Sequence, residues 1–495
     1  MHDHSPDVFT IVCCNESFQL ALDHSTIKTL LQACRRARPL LSSRVARFLT
    51  WCHNAGLFYP DGSLLISLTP SDKIALSLRC DDECPVDRSW LAALAEQGNA
   101  AASYFLARIF QIALSFQQSV DEDAVKERIF DLLKDAADAG HPMAQFHVAN
   151  RFYDGYGVER DQAKAAEIYR DLADRGMVQA QVALGRCYES SEGVDQSYDT
   201  AVEWYSKAAD QGNDDGRLRI LFLRGWFAFI GHGVEQSDAD ALSQWLEVST
   251  NSTDPVIKPI ATHMVGWMFY LGRGTLRDKQ KGVEFIRKGQ SPMFPLGESE
   301  CLAGEWLGPS RSPAALKFFK LCQLGSEHEW LCKHLMALCL TRGFGTKRRA
   351  EQAAAIFEEL ANEGRIESQC WIGECYCYGW GVDESQPMTL EWYRKAADQG
   401  DSYGQYWVGA CYRWGNGVTK DHTQAVEWLR KSAAQGNRFG QNRLGDCFRS
   451  GEGVDRDMDV AISWWRKAAD QGYKKAMNSL VIHCQQPDPE DASES

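Results

Sequence analysis

The sequence predicts a mostly α-helical chain, an α/α superhelical solenoid of stacked helix pairs behind a small N-terminal α+β domain. Three observations lead there. Three consecutive blocks of equal length fill residues 364–472, so that Gly364, Gly400, Gly436 and Gly472 recur every 36 residues. Each block carries two apolar stripes at helical spacing, such as Tyr406, Gly409 and Tyr412 followed by Ala425, Trp428, Leu429 and Ser432. Residues 1–87, by contrast, do not share the period. A repeat of this size marks a solenoid, in which each unit buries its apolar face only against its neighbours.

In chain order, residues 8–13 and 18–22 read as short strands and residues 25–37 as a helix with Ile27, Leu30 and Leu31 on one face. Residues 43–53 read as a second helix, followed by a turn at Pro60-Asp61-Gly62 and two strand-like runs at 64–68 and 74–78. Repeats begin near residue 88. A first helix ends in LARIF, and its partner is expected at 123–139. Regular units occupy 140–175 and 176–211. The stretch 213–325 is degenerate. There Gly225 lies 13 residues after Gly212, where regular blocks have 9, which predicts one extra helical turn. Four prolines within 291–313 (Pro292, Pro295, Pro309 and Pro313) predict an irregular or shortened unit and a bend or hinge. Regularity returns at 325–364. About ten or eleven helix pairs are expected over 88–484, and 485–495 reads as a disordered acidic tail.

The punctuation inside a block has a physical reason. The two stripes are joined by G-x-G-V, as at Gly379/Gly381, Gly415/Gly417 and Gly451/Gly453. Glycine suits a helix C-terminus because it reaches positive φ without a Cβ clash. Four residues after the second glycine stands Ser385, Asp421 or Asp457, an N-cap for the second helix, whereas the unit at Gly343/Gly345 has Arg349 there. Gly373, Gly409 and Gly445 lie inside the first helix, where a missing side chain lets two helices approach closely.

The pattern A-x-x-x-L-G-x-x-Y-x-x-G-x-G-V, then A-x-x-W-Y-x-K-A-A-x-Q-G, is carried here by residues 405–418 and 425–436. It resembles the Sel-one-like repeat (SLR) family, related to tetratricopeptide repeats. That resemblance implies a superhelix that binds other proteins. The segments FQLALDHSTIKTLL and PLLSSRVARFLTWC are similar to the start of the POZ (BTB) fold of cullin-ligase adaptors, without its acidic loop and later helices. This likeness implies docking of a cullin by residues 1–87. The alternative is an unrelated cap over the first repeat.

Charge and composition narrow the function classes. A net charge of −14 gives nucleic-acid binding no electrostatic support and favours a basic or mixed protein partner. No basic start followed by an apolar run opens the chain, and residues 221–230 are too short and too interrupted, by Arg224, to span a bilayer. With 17 cysteines and no evident export signal, an intracellular, reducing, cytoplasmic setting is expected. Secreted SLR relatives join the two helices through a cysteine in K-A-C, and here Ala209, Ala397, Ala434 and Ala469 stand there.

Cys339, Cys375, Cys411 and Cys447 occupy one slot in four successive units, but stacked helices put equivalent residues about 8–10 Å apart, too far for one tetrahedral zinc. They read as small buried apolar groups. Cys80 and Cys84 have no second pair, His147, His263 and His334 are isolated, and no nucleophile, zincin or phosphate-loop motif occurs, so no catalytic, metal or cofactor residue is assigned. What remains is aromatic. Two residues before the repeat glycine stand Phe105, His147, Ala183, Trp371, Trp407 and Arg443; Tyr403 and Phe439 share a second slot, and Tyr378 and Trp414 a third. Trp, Tyr and Arg are favoured interface anchors. The partner-binding residues expected are therefore Trp371, Tyr378, Tyr403, Trp407, Trp414, Phe439 and Arg443, facing a protein or peptide in the groove. Extra packing between repeats is the competing explanation of the same residues. The leading function is a non-catalytic adaptor or scaffold, extending to substrate selection for a cullin-type ubiquitin ligase if the POZ likeness is real. The alternatives are a hydrolase, as ascribed to some secreted relatives, and a structural spacer.

Overall fold

A computed structural model describes residues 37–77, 79–80, 88–116, 122–302 and 308–484. It contains twenty-four helices and no strand among these residues. The chain divides into two compact units between Arg217 and Leu218. The first holds α1 (Ala37–Asn54), α2 (Pro70–Ser77), α3 (Ser89–Glu96), α4 (Ala100–Phe116), α5 (Glu122–Asp138), α6 (Pro142–Asp154), α7 (Gln162–Asp174), α8 (Val178–Ser190) and α9 (Tyr198–Asp210). Helix α10 (Asp214–Ile230) runs across the division. The second unit continues with α11 (Asp238–Asn251), α12 (Ile257–Leu271), α13 (Lys279–Gly289), α14 (Glu298–Cys301), α15 (Pro313–Gly325), α16 (Trp330–Arg342), α17 (Ala350–Asn362) and α18 (Ile366–Tyr378). It ends with α19 (Gln386–Asp398), α20 (Ser402–Trp414), α21 (His422–Ala434), α22 (Arg438–Ser450), α23 (Met458–Asp470) and α24 (Lys474–Cys484).

The helix-pair reading holds in detail. The Asp421 carboxylate accepts from the backbone N–H groups of Thr423 and Gln424 at the start of α21, and Asp457 accepts from Val460 at the start of α23. Arg349 sits at the cap of α17 and forms no side-chain cap bond. Helix α10 has 17 residues where α8, α18 and α20 have 13, which is the extra turn expected from Gly225. A Cβ on Gly409 would lie 2.8 Å from Leu429 Cγ, and one on Gly373 2.7 Å from Tyr393 Cε1, so these glycines admit a large side chain from the second helix of their own pair.

The second glycine of the loop has a further reason. Gly417 has φ +69°, and a Cβ there would sit 2.2 Å from the carbonyl oxygen of Gln386, the first residue of α19 in the preceding unit. Gly381 and Gly453 stand equally close to Ala350 and His422, which open α17 and α21. The loops of these three pairs are thus seated on the start of the previous second helix. A glutamine bridge reinforces the stack. Gln405 Nε2 donates to the Ala397 carbonyl at the end of α19, while its Oε1 accepts from Gln435 Nε2 at 2.8 Å. Gln181, Gln369 and Gln441 repeat the arrangement with Gln211, Gln399 and Gln471. The final Gln of the K-A-A-x-Q-G motif is therefore a hydrogen-bonding partner and not a surface filler.

The N-terminal expectation needs correction. The strands expected at 8–13 and 18–22 and the helix at 25–37 fall outside the described residues, apart from Ala37. The helix expected at 43–53 is present as the greater part of α1. The strand expected at 74–78 is not: Pro70–Ser77 forms α2. Its start carries a reciprocal cap, with Thr69 N–H donating to Asp72 Oδ2 at 2.9 Å and Asp72 N–H donating to Thr69 Oγ1 at 3.2 Å. A Pro at the first helical position favours the same outcome. Of the run 64–68, Leu64 forms only an isolated antiparallel bridge with Phe58. The described part of this region is thus helical, not α+β. It shares a core with the first helix pair, since Phe48, Trp51 and Ile66 pack in one cluster with Leu91, Phe105 and Leu132. Asp72 Oδ1 also lies 2.9 Å from His141 Nε2, both buried, and His141 Nδ1 accepts from Ala144 N–H at the start of α6.

Nine complete pairs are present among the described residues, with one truncated unit in which the four residues of α14 stand where a thirteen-residue first helix would be. The irregular unit expected at 291–313 is present. It is not where the chain divides, which happens at Arg217/Leu218 instead.

Candidate protein-binding site

In the first unit, the first helices of successive pairs line an open cavity of about 380 Å³. Phe146, Asn150, Tyr153 and Asp154 come from α6; Gln179, Val182, Ala183 and Arg186 from α8; Asn213 and Asp215 from the start of α10. Tyr169 of α7 closes one wall, its hydroxyl donating to Asn150 Oδ1 at 2.6 Å, with its ring 5.7 Å from that of Phe146. Asn213 Oδ1 accepts from Gly216 N–H at 2.7 Å, which fixes that amide as the cap of α10. Tyr153 donates to Glu192, and the Arg186 guanidinium lies 6.0 Å from the Tyr153 ring. Burial and the Glu192 carboxylate push the Tyr153 hydroxyl above its ordinary range, so it stays a donor. Amide, hydroxyl, guanidinium and carboxylate groups thus surround an aromatic floor, a lining suited to the mixed polarity of a polypeptide and not to one charge type.

The repeat register ties this cavity to the second unit. By register, Ala183 corresponds to Trp371, Gln179 to Glu367, Asn213 to Asp401 and Asp215 to Tyr403. These equivalents enclose only about 10 Å³, together with Tyr270, Cys370, Cys301 and Leu302. The difference is that residues 298–302 lie on the face there. The Trp371 indole N–H donates to the Cys301 carbonyl at 2.7 Å, and the Tyr403 hydroxyl to Glu298 at 2.6 Å.

The exposed aromatic strip expected in 364–450 is therefore not what the structure presents. Trp371 is 2% exposed, stacked on Phe357 at 5.5 Å, and Tyr403 and Phe439 are buried as well. Phe439 packs between Tyr403, Tyr406 and Tyr473. Trp407 is half-buried and stacks on Tyr393 at 5.5 Å, and half-buried Arg443 reaches Asp446 at 3.3 Å. Only Tyr378 and Trp414, near helix C-termini, are exposed, at 51% and 57%. One member of the slot identified from sequence, Ala183, lines the open cavity, whereas Trp371 in the same slot is covered. Sequence reasoning missed Asn150, Arg186, Tyr153, Asn213 and Asp215. For Asn150 and Arg186 the signal available was spacing: each stands three positions along from the slot at His147 and Ala183, on the same helix face, and polar side chains there were passed over in favour of aromatics.

The remaining candidates are structural. Cys339, Cys375, Cys411 and Cys447 are free and buried, and burial pushes the Cys375 and Cys411 thiols up to about 12. His263 accepts from the Trp267 indole N–H at 3.0 Å and His334 pairs with the Ser368 hydroxyl at 2.9 Å. Burial lowers both imidazoles to about 3, leaving them neutral packing groups. Among the described residues, no group of three His, Cys, Asp or Glu is placed to hold a metal ion, and no helix is long and apolar enough to cross a membrane.

Six stretches match the family model of the Sel1 repeat: residues 142–177, 178–213, 259–289, 366–401, 402–437 and 439–473. No curated protein matches the chain. Among solved structures, the chain is similar to c5321, described as a protective antigen present in uropathogenic Escherichia coli strains displaying an SLR fold. The identity is 24% over 90% of this chain and 87% of that one, with a TM-score of 0.37. It is also similar to a Sel1 repeat protein from Oxalobacter formigenes, at 21% identity over 81% and 92% of the two chains and a TM-score of 0.30.

Proposed function

We propose that this chain, six stretches of which match the Sel1 repeat model, is a non-catalytic scaffold that holds a protein or peptide on the first-helix face of its first unit. Sel1 repeats generally serve protein–protein interaction. One observation carries the placement: the same repeat positions frame about 380 Å³ of open, mixed-polarity space in the first unit and about 10 Å³ in the second. A rigid stack of helices offers its side chains already positioned, so little ordering cost falls on the scaffold. Asn150, Tyr153 and Arg186 supply directional contacts, and Phe146 and Tyr169 the apolar floor. A photo-crosslinking residue placed at Ala183, with another at the exposed Glu203 as control, tests this in the native cell. Discrete polypeptide adducts are expected at 183 and not at 203, and Arg186→Glu should remove them. Adducts that are the same at both positions, or that survive Arg186→Glu, would rule out the cavity.

The narrower reading is that residues 1–87 dock a cullin while the repeats select its target. It is supported by the two POZ-like segments alone, and it fails if the full chain captures no cullin in a pull-down. A reducing, cytoplasmic setting is supported by the buried free thiols of the repeats.

A further inference from the structure

The truncated unit places a buried acidic residue against arginines of two repeat helices. Glu298 is 2% exposed, and its carboxylate is ion-paired with Arg287 of α13 at 2.5 Å and with Arg438 of α22 at 2.9 Å. It also accepts from the Tyr403 hydroxyl of α20. Arg438 reaches Ser299 Oγ at 3.4 Å, and three residues beyond Glu298 the Cys301 carbonyl accepts from the Trp371 indole of α18. Four repeat helices therefore converge on one short stretch that is itself outside the repeat pattern. Two guanidinium groups and a phenol are the donor set that recognises a carboxylate, and charge-assisted bonds of this kind are the stronger class. The indole N–H then reads a main-chain carbonyl, which any polypeptide can supply.

We infer that this face of the second unit is a binding site for a short acidic segment, filled by the chain's own Glu298–Cys301 and open to competition from a partner segment of the same pattern. That pattern is a carboxylate side chain three residues ahead of an accessible carbonyl, with small or polar residues between. The tethered segment has the advantage of effective concentration, so the intact chain binds a free competitor weakly. The inference concerns different residues from the cavity at Asn150 and Arg186, and the two can fail separately.

The probe is a fluorescein-labelled peptide of residues 295–302 with Ala in place of Cys301. In fluorescence anisotropy with the full chain, Glu298→Ala should bind it at least about tenfold more tightly than the unaltered chain. Arg438→Glu added to that variant should abolish binding, as should Gln in the peptide at the position of Glu298. Equal binding to both chains, or no binding by a Glu298→Ala chain that keeps its helical circular dichroism, would overturn the inference. Should that variant unfold, the unaltered chain with excess peptide decides the matter through amide exchange. The Cys301 and Leu302 amides, bonded to the Gly297 and Glu298 carbonyls, should exchange faster with peptide present. Unchanged exchange would overturn it.

Discussion

Replacing Gly417 by Ala tests the way the repeats are stacked, because the expected cost has two separable parts. At φ +69° an L-residue pays about 1–2 kcal/mol for the left-handed conformation. The new Cβ would also lie 2.2 Å from the Gln386 carbonyl oxygen, whereas carbon–oxygen contacts settle at about 3.3 Å. Relieving about 1 Å of overlap between two backbones is an overpacking change, worth about 1–3 kcal/mol. Together they give about 2–5 kcal/mol. Gly400→Ala is the control: its φ is +84°, but a Cβ there meets nothing within 4 Å, so only the conformational part of about 1–2 kcal/mol applies. Urea denaturation of the two variants by circular dichroism measures the difference. Because solenoid stability is a sum of unit and interface terms, amide exchange should rise first in α19 to α21 of the Gly417→Ala chain. Equal destabilisation by the two substitutions would refute the idea that the loop is seated on the preceding helix.

Three further outcomes follow from particular residues. Gln405→Ala removes two hydrogen bonds, to the Ala397 carbonyl and from Gln435, while each of those groups keeps a second partner at Gly400. At about 0.5–1.5 kcal/mol per bond it should cost about 1–3 kcal/mol in the same urea assay, with Gln435→Ala adding little on top. Arg349→Asp supplies the missing cap of α17 and should stabilise the chain by about 1 kcal/mol in thermal unfolding. Burial pushes the Glu374 carboxyl from 4.5 up to about 8. The folded chain then holds a proton there that the unfolded chain has released, so this group's contribution is complete below about pH 4.5 and declines as pH rises to about 8, a loss on the order of 3 kcal/mol at neutral pH. Glu374→Gln lacks that slope. Its stability relative to the unaltered chain should improve from pH 5 to pH 8, and a pH-independent difference would contradict the burial account.

The repeat architecture was legible because each of its devices is local: the G-x-G loop, the cap four residues on, and the small residue in the first helix all lie within one period. The extra turn of α10 could be counted from the displacement of Gly225. What escaped was non-local. Trp371 and Tyr403 have the composition of interface anchors, and only the fold reveals that Glu298 and Cys301, some 70 to 105 residues away in sequence, cover them. The prolines at 292, 295, 309 and 313 marked an irregular stretch, but nothing in their spacing says that it docks on a face of the repeats. In the N-terminal region 74–78 is strand-like by itself, but the Thr69–Asp72 cap ahead of it starts a helix there. The cavity in the first unit escaped for a different reason: its Asn150 and Arg186 are ordinary surface types, and only their convergence distinguishes them.

Hydroxyl-radical footprinting of the unaltered full chain, read by mass spectrometry at single residues, tests the central claim most directly. The account predicts rapid oxidation of Trp414 and Tyr378, modification of Tyr153 at the open cavity of the first unit, and protection of Trp371 and Tyr403 that is lost in Glu298→Ala. Oxidation of Trp371 in the unaltered chain at the rate of Trp414 would contradict it.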